Sequence, residues 1–192
     1  MTNRIPFEIE QAILATRQQF RGMNAKAQEL SGGTMGFVTK PHDLGPALRF
    51  WEIEDDSELE DFLFEDLLAS VDGMRMLDLS QMPPGYEPLI TVLEFERHCQ
   101  FEGWTAVSNR ADEMESIVKG YRFTGLEDEA VALSKVLVAY NQLADDDIEE
   151  FHDILGKAYG SVKNATPEIE DRIPVILGFV REHEELFYEA RA

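Results

Sequence analysis

Three side chains that could take part in acid–base or thiol chemistry lie close together between Pro88 and Asn109: Glu96, His98 and Cys99. A helix is expected here, because apolar side chains recur at three- and four-residue spacing through the stretch. On a helix, neighbouring residues point about 100° apart, so His98 and Cys99 are not expected to act as a base and nucleophile pair. Cys99 also falls on the apolar stripe, where a cysteine is usually an inert core thiol. We therefore assign no catalytic residue.

A metal site is a second possible chemistry, because Glu149 and His152 are three residues apart and share a helix face. Helical di-iron proteins use this Glu-x-x-His spacing, but they need a second such pair. The residues three positions before His98 and His183 are apolar, so the second pair is missing. The sequence also lacks the signatures of serine hydrolases, zinc proteases and dinucleotide-binding proteins. We predict no metal and no cofactor.

The charge of the chain is its most unusual bulk property, with 38 acidic residues against 17 lysines and arginines and a net charge of −21 over 192 residues. Such a charge disfavours direct binding to nucleic acid or anionic lipid through long-range repulsion. Basic protein surfaces are the natural partners, and solubility alone is the alternative explanation. Hydrophobic residues make up 44% of the chain, which argues for a folded core rather than an acidic tail.

The expected location is the cytoplasm, without membrane insertion. No apolar run is long enough to span a bilayer, and the first ten residues contain no apolar signal core. The single cysteine cannot form an internal disulfide, which is typical of proteins in a reducing compartment.

Two stretches concentrate the acidic residues. From Glu52 to Asp66, nine residues are acidic and none is basic. From Glu127 to Asp153, nine residues are acidic and Lys135 is the single lysine or arginine. We predict that an acidic interaction surface is formed by Glu52, Glu54, Asp55, Asp56, Glu58, Asp61, Glu65, Glu127, Asp128, Asp145, Asp146 and Glu149.

Helical periodicity runs through the chain, and no segment shows the sustained alternation typical of strands. We predict an all-α fold, a single-domain multi-helix bundle around a central helix near residues 87–102 with an N-terminal helical extension. The expected division is residues 1–50, an N-terminal helix with a Gly/Pro-containing connector, and residues 51–192, an acidic helical domain. The first helix, from Pro6 to Leu30, has a continuous apolar stripe and should end at Gly32-Gly33. We expect this stripe to dock within the chain, with a homodimer as the alternative.

Local signals give the expected helix boundaries. Capping boxes are predicted at Ser57 and at Thr124, an N-cap at Asn109, and a helix end at Gly120. Pro174 should kink the last helix or restart it. Residues 145–147 and 166–167 are expected at the starts of the last two helices.

Several positions after residue 82 follow the pattern of a known family. An acid, a glycine, an aromatic residue and an asparagine stand at comparable places in its hallmark helix, and two later segments match its following and closing helices: Glu96, Gly103, Trp104, Asn109, Phe123–Leu133 and Ile176–Phe187. On these residues, the stretch from about 82 to 190 resembles a bacterial all-helical family of uncharacterised proteins that includes a neisserial DNA-mimic protein.

The resemblance implies an all-α fold and no known enzymatic activity. For at least one member it also implies an acidic surface that occupies the DNA-binding face of a transcription factor. We therefore favour an interaction module that binds a basic protein, such as a transcription factor, and we do not expect an enzyme. Two alternatives stay open: a pocket for a small molecule or substrate lined by Glu96, His98 and Trp104, and a scaffold that dimerises through the first helix.

Overall fold

The computed structural model describes residues 3–33, 49–74, 77–103, 106–142, 148–165 and 168–188, with the backbone alone for 72–74 and 148–150. Every regular element in these ranges is helical, so the predicted all-α fold is confirmed. By compactness the chain forms two units, residues 1–83 with 184–192 and residues 84–183. The predicted boundary after residue 50 stays a prediction.

The first unit is built from one long helix and one irregular helical stretch. Its elements are α1 (Phe7–Leu30), α2 (Asp56–Asp61), a π-helical segment (Phe62–Leu68), α3 (Ala69–Met74) and 3-10 turns at Phe50–Glu52, Leu79–Gln81 and Glu184–Leu186. Helix α1 contacts the π-helical segment and α3. An aromatic group closes this core, since the Phe50 ring lies 5.2 Å from Phe62 and 5.3 Å from Phe187, centroid to centroid.

Only the first half of the α1 stripe is buried. Ile9 and Ile13 are fully buried, whereas Met23 and Leu30 are 49% and 79% exposed. Docking within the chain is therefore observed for the N-terminal half of the stripe alone. The helix ends as predicted, because the following Gly32 and Gly33 have the positive φ angles that glycine tolerates.

The capping box predicted at Ser57 is wrong. Helix α2 begins at Asp56, and its N-cap is Asp55, whose carboxylate accepts a hydrogen bond from the Glu58 backbone N–H at 2.9 Å. Aspartate caps as well as serine does, so the earlier residue takes the role and places Ser57 inside the first turn.

The second unit contains the predicted central helix. Its elements are α4 (Tyr86–Glu102), α5 (Ala106–Asn109), a 3-10 turn (Ala111–Glu113), α6 (Met114–Phe123), α7 (Glu127–Tyr140), α8 (Ile148–Gly160) and α9 (Ile169–Glu182). Helix α4 contacts α5, α6 and α9, while α7 packs between α6 and α8. The buried face of α4 includes Leu89, Val92, Leu93 and Glu96.

The capping box predicted at Thr124 is wrong, because this residue ends one helix and does not begin the next. Its hydroxyl donates back to the carbonyl oxygens of Gly120 and Tyr121, at 3.1 and 3.2 Å, so Thr124 closes α6 instead of opening α7. Gly125 follows with φ +86°, and the Leu126 N–H bonds the Tyr121 carbonyl at 2.8 Å. This is the hydrogen bond of a Schellman helix end, and it makes Thr124-Gly125 a stop signal.

Two further boundary predictions, those at Asn109 and Gly120, are wrong. Asn109 is the last residue of α5 and does not cap the next helix, and α6 runs through Gly120 to Phe123. Helix α9 contains Pro174 within one continuous element, so the predicted restart does not occur. The caps predicted at residues 145–147 and 166–167 lie outside the described residues.

Gly120 is required for packing rather than for ending a helix. A Cβ atom on Gly120 would lie 2.8 Å from Val92 Cγ2 and 3.0 Å from the Pro88 carbonyl oxygen. Both atoms belong to α4, so the missing side chain allows α6 to approach the central helix closely.

We expect Gly120→Ala to destabilise the protein by about 1–3 kcal/mol, because the added methyl group must displace α4 backbone. Gly178→Ala in α9 is the matched control, since its added Cβ meets nothing within 4 Å. Because no steric conflict arises at position 178 and alanine favours helix, Gly178→Ala should be neutral or stabilising by up to about 1 kcal/mol. Urea unfolding of both variants measures this, and equal effects would contradict the packing role.

Candidate functional site

Glu96, the acidic residue of the central helix, lies in a fully paired internal site. The side chain is fully buried, and Arg172 of α9 is 1% exposed. Arg172 donates from Nε to Glu96 Oε1 and from Nη2 to Oε2, both at 2.6 Å. The Tyr121 hydroxyl of α6 donates to the same Oε1 at 2.6 Å. Both carboxylate oxygens are therefore occupied by internal donors.

A second buried acid lies in the same polar core. Glu129 of α7 accepts a hydrogen bond from the Tyr159 hydroxyl of α8, and both residues are buried. The charge of Arg172 lowers the pKa of Tyr159 and the charge of Glu96 raises it, so both charges act on this hydroxyl. We call Glu96, Tyr121, Glu129, Tyr159 and Arg172 the polar core cluster.

The polar core cluster stabilises the charged form of Arg172 and the neutral forms of its tyrosines. Burial alone would lower the pKa of Arg172, but the hydrogen bonds and charge of Glu96 outweigh burial and raise it. Burial and then the Glu96 charge raise the pKa of Tyr121 well above its ordinary value. Burial and the hydrogen bond to Glu129 likewise raise the pKa of Tyr159.

The side chains of Cys99 and His98 lie in different surroundings, as the helical geometry predicts. Burial, with a further contribution from the Glu96 charge, raises the pKa of Cys99 to about 12. A thiol with that pKa is almost wholly protonated near neutral pH, and it is a poor nucleophile. The His98 ring instead contacts Arg110, with Nε2 3.2 Å from Nη1, and the same nitrogen of Arg110 lies 2.9 Å from Glu94 Oε1.

The residues that carry the family resemblance have architectural surroundings where they are described. Glu96 belongs to the polar core cluster, and Gly103 ends α4 with φ +55°, a conformation that favours glycine. The Asn109 side-chain amide donates to Glu102 Oε2 at 2.5 Å, which links α5 to the end of α4. Trp104 lies outside the described residues.

The first acidic stretch divides into exposed carboxylates and one internal pair. Six of its predicted surface residues are exposed and Asp61 is half-buried: Glu52, Glu54, Asp55, Asp56, Glu58 and Glu65. Glu52 pairs with Arg49 at 2.7 Å. Asp66 points inward and pairs with Arg17 of α1 through two hydrogen bonds of 2.6 and 2.5 Å.

The second acidic stretch is described only in part. Glu127 and Asp128 are exposed, and Glu127 lies 3.3 Å from Arg122. Asp145 and Asp146 lie outside the described residues, and for Glu149 the backbone alone is described. Because Glu129 is buried, this stretch contributes to the core as well as to the surface.

Sequence reasoning missed the partners that hold these acids. Arg172 falls three residues after Ile169 and four before Ile176, on the apolar face of α9, and Glu129 falls four residues before Leu133. A charged residue at an inward position is a readable signal, because burial of a charge requires a partner. The identity of that partner is not readable, since Glu96 and Arg172 are 76 positions apart.

Comparison with protein-family models, curated proteins and solved structures found no match. The resemblance to the DNA-mimic family therefore stays a prediction. In the described part of the chain, no helix has the length and apolarity to cross a membrane. In the same part, no group of three or more histidine, cysteine, aspartate and glutamate side chains is placed to hold a metal ion.

The raised pKa values of buried groups in the second unit predict that the free energy of unfolding falls at alkaline pH. Cys99 has a folded pKa of about 12 against an ordinary 9.0, and Tyr121 also keeps its proton longer when folded. Above pH 9 the unfolded chain releases protons that the folded chain retains. The free energy of unfolding should therefore be flat up to about pH 8.5. It should then fall by up to about 1.4 kcal/mol per pH unit for each such group.

Urea unfolding between pH 7 and pH 11 tests this expectation. Tyr121→Phe should be less stable than the wild type at pH 8 by about 1–3 kcal/mol, because Glu96 loses a donor. Its pH dependence above pH 10 should nevertheless be shallower, because one group no longer titrates. An equally steep decline in both proteins would contradict the assigned role of Tyr121.

Proposed function

We propose that this protein is an interaction module whose acidic surface binds a basic protein surface. The observation that supports the proposal is the run of mostly exposed carboxylates from Glu52 to Glu65, which contains no basic residue. Glu58 and Glu65 have no ion-pair partner within the described part of the chain. Carboxylates that are not needed internally are available to a partner.

The run also has a rigid support, which lowers the entropic cost of binding. The side chains of Phe62, Leu63 and Leu67 on its inner face are fully buried. The Arg17–Asp66 pair fastens the same segment to α1 with the planar, bidentate geometry that fixes an orientation well. The outward carboxylates are thus presented from a fixed backbone.

The charge density of the run is comparable to that of one strand of DNA. Five of its predicted surface carboxylates lie between Asp55 and Glu65, a helical length of roughly 15 Å at about 1.5 Å per residue. This gives one negative charge per roughly 3 Å, against about 3.4 Å for one DNA strand. The density supports a basic, DNA-binding protein in the cytoplasm, such as a transcription factor, as the class of partner, with DNA mimicry as the mode.

The alternative pocket beside the central helix is less well supported. Its proposed acid, Glu96, has both oxygens bonded to Arg172 and Tyr121, and its proposed base, His98, contacts Arg110. Neither side chain is held ready for a small molecule. We therefore assign these residues to structure and place the function on the surface.

The test uses the immobilised full chain to capture proteins from a cell lysate at low salt. We expect a basic DNA-binding protein that is released both by added NaCl and by competing duplex DNA, because screening weakens exposed charge pairs. Capture of no basic protein, or capture that salt leaves unchanged, would contradict the proposal.

A matched pair of variants then locates the surface with the purified partner. Glu58→Gln/Glu65→Gln removes two charges from the run, and Glu87→Gln/Glu115→Gln removes two exposed charges from the second unit. At about 0.2–1 kcal/mol per exposed pair, the first should weaken binding about 2- to 30-fold. The control should retain the wild-type affinity. Equal losses in both would show that bulk charge, and not this surface, determines binding.

A further inference from the structure

The distal half of α1 presents an apolar stripe that the described residues do not cover. Phe20, Met23 and Leu30 are 39%, 49% and 79% exposed, although they continue the helix face on which Ile13 is fully buried. The spacing is that of a coiled-coil seam, with steps of three and four residues from position 9 to position 30. An exposed stripe of this kind usually marks an interaction surface.

The charge around the stripe differs from that of the rest of the chain. No acidic residue occurs from Gln11 to Gln28, and this segment contains Arg17, Arg21 and Lys26. Two copies of a chain with a net charge of −21 repel each other over most of their surfaces. Apart from Glu29, the distal half of α1 is a surface where a second copy can approach without bringing carboxylates together.

The stripe also matches itself when it is reversed. Positions 20, 23, 27 and 30 are spaced by three, four and three residues, so the pattern is the same in either direction. In an antiparallel pair, Phe20 meets Leu30 of the second copy and Met23 meets Ala27. Each of these contacts occurs twice, once on either side of the axis, as a two-fold interface requires. We propose that two copies of this chain dimerise by antiparallel packing of this half of α1.

The interface is small, and its salt dependence is characteristic. Residues 17–30 form a helix face about 21 Å long, which falls short of the about 800 Å² per partner of a standard interface. The dissociation constant is therefore in the micromolar range or weaker. Added salt strengthens the dimer, because it screens the repulsion between the acidic chains and between the two Lys26 side chains near the axis. This is opposite to the salt effect on the basic partner, so the two proposals can fail separately.

Sedimentation equilibrium of the full chain over about two decades of concentration tests the proposal. The wild type should show a monomer–dimer equilibrium that raised NaCl shifts toward dimer, and Met23→Glu should weaken it by about tenfold or more. Leu14→Glu is the matched control, because Leu14 is 47% exposed on the opposite face of the same helix, and it should dimerise like the wild type. A wild type that remains monomeric throughout, or an equal effect of both variants, overturns the proposal.

Engineered cysteines determine the orientation of the pair. In the antiparallel dimer the two residues 26 lie about 3 Å apart along the axis and the two residues 19 about 18 Å apart. Under mild oxidation Lys26→Cys should form a disulfide-linked dimer and Gln19→Cys should not. Cys99 can stay in place, because burial raises its pKa to about 12 and slows its reaction. Cross-linking at both positions, or at neither, contradicts antiparallel packing.

Discussion

The second unit depends on one buried ion pair, Glu96 with Arg172. The two side chains come from the central helix and from the last long helix, and both are removed from water. A buried charge without its partner costs several kcal/mol, so neither helix can shift without a large loss. Tyr121 extends the constraint to α6 through its hydrogen bond to the same carboxylate. The pair therefore fixes the register of three helices that apolar packing alone would hold less specifically.

Besides exposed acids that pair with a base, such as Glu52 with Arg49, the described part of the chain contains two further classes of acidic residue. Asp66, Glu96 and Glu129 point inward and are bonded to an arginine or a tyrosine. Glu58 and Glu65 are exposed on a segment that Asp66, the inward acid of the same unit, ties to α1. The net charge counts both classes alike, although the first stabilises the fold and only the second is available for binding. The proposed function depends on this division.

The sequence predicted those helices whose type and bounds follow from the local spacing of apolar residues. The apolar spacing of α1 and α4 gave their type and bounds, because a helix must bury one face. The capping predictions at Ser57 and Thr124 failed because Asp55 and Gly125 offered stronger local alternatives. The ion pairs could not be read from the sequence, because Arg17 and Asp66 are 49 positions apart and only the folded chain brings them together. Exposure of the distal α1 stripe was equally unreadable, since the stripe is uniform along the helix.

A double-mutant cycle on Glu96 and Arg172 measures how strongly this ion pair couples α4 to α9. The variants are Glu96→Gln, Arg172→Met and the double variant, with urea unfolding at neutral pH as the measurement. Each single change leaves a buried charge uncompensated and should cost about 3–5 kcal/mol, while the double change should cost less than their sum by at least about 2 kcal/mol. Costs that add within about 0.5 kcal/mol would show that the two residues act independently and that the ion pair does not couple α4 to α9.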